Sequence, residues 1–264
     1  MSEIKKAVKA LKEAKYLLIT AGAGMGVDSG LPDFRGNEGF WKAYPIAKKL
    51  GLNFQALANP RWFDINPRLA WAFYGHRLNM YRNTEPHEGF RILLNLPHSK
   101  FVFTSNVDGH FQKAGFSEMK IVEIHGSIHY LQCSEPCSES IWENEETIEV
   151  DEEKFEALNF PLCKNCKAIA RPNILMFSDL RFVEKRVNLQ LARFEYWLSQ
   201  IDDRLVIIEI GAGKAVPSVR MMSERIKRNF DAVLIRINPF EAEGADIQIK
   251  KGALEALKEI SKLM

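Results

Sequence analysis

The sequence shows no excess of charge of either sign and no apolar run of membrane-spanning length. Its 264 residues carry 36 Lys and Arg against 34 Asp and Glu, a formal net charge of +2. Binding to a phosphate backbone relies on clustered cations, so this balance argues against a nucleic-acid partner. A bilayer-spanning helix needs about 20 consecutive apolar residues, and no such stretch occurs. Internal repeats and low-complexity linkers are also missing, which removes solenoids and disordered arrays from consideration. The segment Met1 to Lys15 has an amphipathic helical pattern (Ile4, Ala7, Val8, Leu11) instead of an uninterrupted apolar signal region. The expectation is a cytoplasmic protein with neither nucleic acid nor membrane as partner. A hydrophobic content of 46% over this length suffices for a substantial core.

Cysteine is scarce but patterned. All four cysteines fall in two close pairs, Cys133-x3-Cys137 and Cys163-x2-Cys166. A cytosolic chain is not expected to form disulfides. Four thiolates can instead surround Zn²⁺ tetrahedrally, and an all-cysteine shell has no open position for substrate. Cys133, Cys137, Cys163 and Cys166 are therefore expected to hold a structural zinc ion that serves folding and takes no part in the chemistry.

Against these absences stands one glycine-rich stretch, Tyr16 to Gly36. Tyr16-Leu17-Leu18-Ile19-Thr20 is brief, apolar and β-rich, so it predicts a buried strand. Gly22, Gly24 and Gly26 then permit a tight turn and close backbone approach to a ligand. In α/β proteins a dinucleotide pyrophosphate binds at such a turn. A dehydrogenase would add a second strand ending in Asp or Glu about twenty residues on. Phe40 to Pro45 offers neither, so hydride transfer does not follow.

Further strands are predicted at Lys100 to Thr104, Lys120 to Ile124, Arg204 to Ile210 and Ala232 to Ile237, with Asp246 to Ile249 at an edge. Helical patterns cover most of the segment from Gly39 to about Asn95, roughly Phe182 to Gln200, and Leu254 to Leu263. The acidic run Glu143 to Glu153 is read as a solvated loop or helix face. Strands separated by helix-length segments predict an α/β fold, a Rossmann-like, doubly wound, mostly parallel sheet covered on both faces. Ligands bind at the carboxyl ends of such strands.

Several chemistry-bearing groups follow those ends. Ser105, Asn106 and Asp108 come after one strand, where they are satisfied by local capping or by a ligand. His125 ends the next, and a neutral imidazole suits a general base. His129 is its nearest competitor. Gly211-Ala212-Gly213 and Asn238 follow the last two long strands. Tyr74 and Arg77 sit at i and i+3 of a helical pattern and so share a face. A Tyr hydroxyl and an Arg fork on one face can hold a carboxylate.

Read in order, Gly22-Ala23-Gly24 through Ser29-Gly30-Leu31-Pro32-Asp33-Phe34-Arg35-Gly36 resembles the opening motif of the sirtuins, NAD-dependent protein lysine deacylases. The resemblance runs over nearly the whole chain. It implies NAD contacts from Gly22, Ala23, Gly24, Asp33, Phe34 and Arg35. Asn106 and Asp108 match the family's nicotinamide pocket, His125 its catalytic base, and Asn238 its adenosine-ribose ligand. Ser105 replaces the usual Gln. Gly211-Ala212-Gly213 stands where the family has Gly-Thr-Ser, leaving backbone contacts only, and Gly26 stands where most members have Ser. Arg171 to Asp179 looks like the strand that pairs with an acyl-lysine peptide, with Phe177 retained and Ser178-Asp179 in place of Gly-Glu.

The implied reaction has the acyl oxygen attack the ribose carbon as nicotinamide leaves. His125 then takes a proton from a ribose hydroxyl, and the products are O-acyl-ADP-ribose and free lysine. The resemblance also implies a Rossmann-like domain from residues 1–36, 96–125 and 181–264. A smaller domain is implied from the helical insertion 37–95 and the zinc module 126–180. In the family branch that removes succinyl and malonyl groups, a Tyr-x-x-Arg pair lies where Tyr74 and Arg77 stand. Two other outcomes stay open on this fold: NAD cleavage without an acyl-lysine, and NAD binding without catalysis.

Overall fold

A computed structural model of the protein describes residues 1–33 and 36–264. Its strands, in chain order, are β1 (Tyr16–Ala21), β2 (Ser99–Thr104), β3 (Ile121–Glu123), β4 (Gly126–Cys133), β5 (Trp142–Glu143), β6 (Val150–Asp151), β7 (Glu156–Ala157), β8 (Ala170–Ile174), β9 (Leu205–Ile210), β10 (Val233–Ile237) and β11 (Ile247–Ile249). Six of them form one sheet in the order β11-β10-β9-β1-β2-β3. Every pairing in it is parallel, with Tyr16 beside Leu205 on one flank and Ser99 on the other. β1 and β9 are buried along their whole length, as a sheet covered on both faces requires.

Alternation within β1 sends Leu17, Ile19 and Ala21 to one face and Tyr16 and Leu18 to the other. The first face is covered by helices Glu3–Glu13, Glu88–Asn95 and Ala253–Ser261 through Leu11, Leu93 and Leu257. The second is covered by helices Lys185–Ser199 and Ser218–Phe230 through Phe194, Trp197 and Ile226. A charge lies inside this sheet. Glu209 on β9 is opposite Arg236 on β10, 2.5 Å apart and 0% and 1% exposed. Each ion is affordable there only because the other neutralises it.

A separate core joins the helices between Pro45 and Asn83 to an antiparallel sheet ordered β5-β4-β8. Trp71, fully buried on helix Pro67–Asn83, donates its indole N–H to the Ala170 carbonyl at 3.0 Å and ties the two halves together. The acidic run is no helix. It contains β5 and β6, keeps its glutamates exposed, and buries Ile148 against the helix at Gly75, where a Cβ would come within 2.3 Å of Ile148 Cγ2. None of the described helices is long and apolar enough to cross a membrane.

Candidate active site

The carboxyl ends of β1, β2 and β9, the end of β3 and the 174–177 segment open on a cavity of about 740 Å³. Its floor is backbone. The turn after β1 donates Gly24 N–H to the Gly211 carbonyl at 3.0 Å. The two turns approach so closely that a Cβ on Gly24 would lie 2.6 Å from Gly211 Cα. Gly211 has φ +61°, the left-handed region that glycine enters without strain. These glycines thus serve the fit of one turn against another as well as access for a ligand. Gly22, Ala23, Gly24, Gly211, Ala212 and Gly213 all line the cavity.

Ser105, Asn106 and Asp108 line it from β2. Asn106 donates from Nδ2 to the Gly22 carbonyl at 3.0 Å, which pins the first glycine turn. Asp108 Oδ1 accepts from His110 N at 2.9 Å, so capping and exposure to the cavity coexist in one carboxylate. His125 lines the cavity just beyond β3. Burial holds its pKa below the ordinary histidine value of 6.5, against a hydrogen bond to the Ser105 backbone. Its Nε2 faces Ser218 Oγ at 3.2 Å, at the first residue of helix Ser218–Phe230. A neutral imidazole keeps one ring nitrogen as an acceptor, the state a general base needs. His129 instead turns Nε2 to the Asp108 carbonyl at 2.8 Å and is absent from the lining.

The opposite wall is helical and aromatic. Tyr74, Arg77 and Tyr81, at i, i+3 and i+7 of one helix, all line the cavity. Arg77 is 6% exposed, and its guanidinium carbon lies 5.2–5.8 Å from the ring centres of Phe54, Phe73, Tyr74 and Tyr81. Burial raises the pKa of both Tyr74 and Tyr81, so both hydroxyls keep their protons. The Tyr74 hydroxyl is buried with no hydrogen-bond partner among the described residues. Tyr81 and Phe54 are absent from the sequence reading, although the i, i+3, i+7 spacing of Tyr74, Arg77 and Tyr81 was available to it.

Three of the expected contact residues lie outside the cavity lining. Asp179 has a fully buried side chain that receives two bonds from Arg171 at 2.7 and 2.9 Å, so it secures the loop after β8 and does not face the cavity. Ser178 is exposed at φ +57° and also lies outside the lining. That left-handed backbone is the physical reason a glycine suits the position. Asn238 is fully buried, donates to the Ala212 carbonyl at 3.1 Å, and accepts from the Phe240 and Glu241 amides at 3.0 Å. It shapes the turns on which Ala212 and Glu241 line the cavity. Phe177 does line it, as does Asp33, while Phe34 and Arg35 lie outside the described residues.

The four cysteines gather at the end of β4 and in the loop before β8. All four sulfurs lie within 4.8 Å of one another. Zn–S bonds of about 2.3 Å place tetrahedral sulfurs about 3.8 Å apart. The Cys133–Cys166 and Cys137–Cys163 separations are 3.6 and 3.7 Å, so the cluster fits the ion. None of the four lines the cavity.

The sequence profile of the Sir2 family matches residues 22–216. The chain belongs to the Sir2 family. An NAD-dependent protein deacylase of Leptospira interrogans serovar Lai is 32% identical over 235 residues, 85% of this chain and 82% of the relative. An NAD-dependent protein deacylase of Aeropyrum pernix is 27% identical over 270 residues, covering 100% and 98%. Among solved structures, a Sir2 homologue in complex with NAD superposes with a TM-score of 0.77 at 25% identity, covering 98% of this chain and 93% of that one. This Sir2 chain has in its four sulfurs a donor set that could hold a structural zinc ion, and a cavity at its strand ends where α/β proteins bind ligands.

Proposed function

We infer that this Sir2-family chain is an NAD-dependent protein lysine deacylase, and we propose that it prefers acyl groups ending in a carboxylate, such as malonyl or succinyl. The observation that carries the second part is that Tyr74 and Arg77 line the same cavity as His125. An acyl chain entering beside the base would meet a buried guanidinium and a buried phenol, both donors suited to a carboxylate. Acetyl-lysine would leave them without an anion.

NAD supplies a ribose carbon from which nicotinamide can leave. The two glycine turns offer it backbone where side-chain hydroxyls are missing, and Asn106 and Asp108 face the nicotinamide end. His125, whose burial favours the neutral imidazole, offers a ring nitrogen as acceptor for the proton of a ribose hydroxyl. The segment Leu175 to Phe177 is fixed by Leu175 N to the His125 carbonyl at 2.9 Å and Phe177 N to the Ala58 carbonyl at 3.0 Å, which supports it as the peptide-docking edge. Free cysteines arranged for zinc support a cytoplasmic placement.

The testing experiment mixes NAD with acetyl-, malonyl- and succinyl-lysine peptides and follows nicotinamide and peptide together, with a peptide-free control. Peptide-dependent nicotinamide release, faster with the acidic acyl groups, is expected. Equal release without peptide would make the protein an NAD hydrolase instead.

A further inference from the structure

A guanidinium on an otherwise aromatic wall selects a carboxylate only if its fork is held in one orientation. A long arginine side chain is rich in rotamers, and an unheld fork would lose that freedom on each binding event. In this chain the fork is held. Arg77 donates from Nε at 3.1 Å and from Nη2 at 2.9 Å to the single hydroxyl oxygen of Tyr81, one turn along the same helix. Tyr81 is 5% exposed, and it lines the cavity together with Arg77 and Tyr74.

The hydrogen-bond chemistry of that oxygen points further. A phenol oxygen has two lone pairs and one hydrogen. Two N–H donors from Arg77 occupy the lone pairs, so the remaining Tyr81 hydrogen can act only as a donor. The Tyr74 hydroxyl, buried and unpartnered among the described residues, is a second phenol bordering the same space. Arginine side chains have no acceptor at all. Arg77 and the Tyr81 hydroxyl can therefore present only donors to the cavity, and the Tyr74 hydroxyl can add a third, a set matched to an anion and mismatched to a cation.

We propose that Tyr81 is the positioning residue that orients Arg77 for the terminal carboxylate of an acidic acyl-lysine, and that its own hydroxyl completes the donor set. This inference rests on the acidic-acyl reading above, and deepens it by assigning the selectivity to Tyr74, Arg77 and Tyr81 acting together. The Tyr81→Phe variant keeps the ring and its packing and removes only the oxygen.

Two readouts test it. In the first, kcat/KM is measured for succinyl- and acetyl-lysine peptides at saturating NAD. Tyr81→Phe is expected to lower the succinyl-to-acetyl ratio roughly 3- to 10-fold, chiefly through the succinyl KM. In the second, ¹⁵N NMR follows the Arg77 Nε–H signal, assigned by its loss in Arg77→Lys. Its exchange with water should quicken at least several-fold in Tyr81→Phe. An unchanged ratio, or an equal loss for both peptides, overturns the assignment of selectivity. An unchanged exchange rate overturns the positioning role. Wild-type protein that turns over acetyl-lysine as well as succinyl-lysine would sink the parent reading. The Nε–H exchange would still decide whether Tyr81 holds Arg77.

Discussion

The sheet-end wall of the cavity meets a ligand with backbone and small groups: Gly22 to Gly24, Gly211 to Gly213, Asn106 and His125. The helical wall opposite meets it with large side chains: Phe54, Tyr74, Arg77 and Tyr81. On the first wall most polar atoms are already engaged, Asn106 with Gly22 and Asp108 with His110. On the second, the Tyr74 phenol is left buried with no hydrogen-bond partner among the described residues. The difference separates two tasks. On the proposed reading, a shared cosubstrate would be held by geometry that many sequences can supply, whereas the acyl group would be chosen by a few side chains that one substitution can change.

The comparison predicts that damage to the sheet-end wall falls on all substrates alike. The largest effect is expected for His125→Ala, which removes the base and should slow deacylation of acetyl- and succinyl-lysine peptides equally, by about 10²- to 10⁴-fold. Circular dichroism should be unchanged, because the His125 ring borders the cavity. Next comes zinc. Chelation, or Cys137→Ser, should lose one zinc per chain by elemental analysis and melt β4 and β8, the antiparallel pair that fixes Leu175 beside His125. Thermal unfolding followed by CD should then show a lowered Tm together with lost activity.

Acid gives a graded version of the same test. Burial lowers the pKa of His76, His87, His110, His125 and His129 below 6.5. Between each lowered value and 6.5 the unfolded chain binds more protons than the folded one, so stability falls as pH drops below 6.5 and is flat above it as far as these groups act. With His125 as the proposed base, active when neutral, activity should follow a pKa below 6.5 on its acid limb. Urea midpoints and kcat/KM measured from pH 5 to 8 check both.

The smallest expected effect sharpens the contrast from the other side. A Cβ on Gly213 would meet only Glu241 Oε2, at 3.9 Å, so a serine fits there. Gly213→Ser should lower the KM for NAD roughly 2- to 12-fold, the effect of one hydrogen bond of about 0.5–1.5 kcal/mol. It should leave the choice of acyl group as it was.

The two walls also differed in how far the sequence disclosed them. Parallel strands are short, apolar and followed by Gly, Asn or His, so β1, β2, β3, β9, β10 and the groups at their ends stand out by pattern. The short strands β5, β6 and β7 and the antiparallel β4 carry no such signal, because a few half-buried residues between loops read as irregular. Tyr81 was hidden for another reason: a tyrosine on a helix rich in aromatics reads as core until its hydroxyl is seen against Arg77. For Asp179 and Asn238 the sequence left the bonding partners unseen. A polar residue placed at a strand end by motif can turn inward to satisfy its neighbours, and only the burial of Asp179 against Arg171 reveals it.

The division of labour between the walls is tested most directly by kcat/KM for matched succinyl- and acetyl-lysine peptides in the wild-type protein and in Arg77→Met. A charged hydrogen-bonded contact is worth about 1.5–3 kcal/mol, so the succinyl-to-acetyl ratio should fall roughly 10- to 150-fold. If both rates fall in parallel, or the ratio stays where it was, Arg77 belongs to the scaffold and the helical wall does not choose the acyl group.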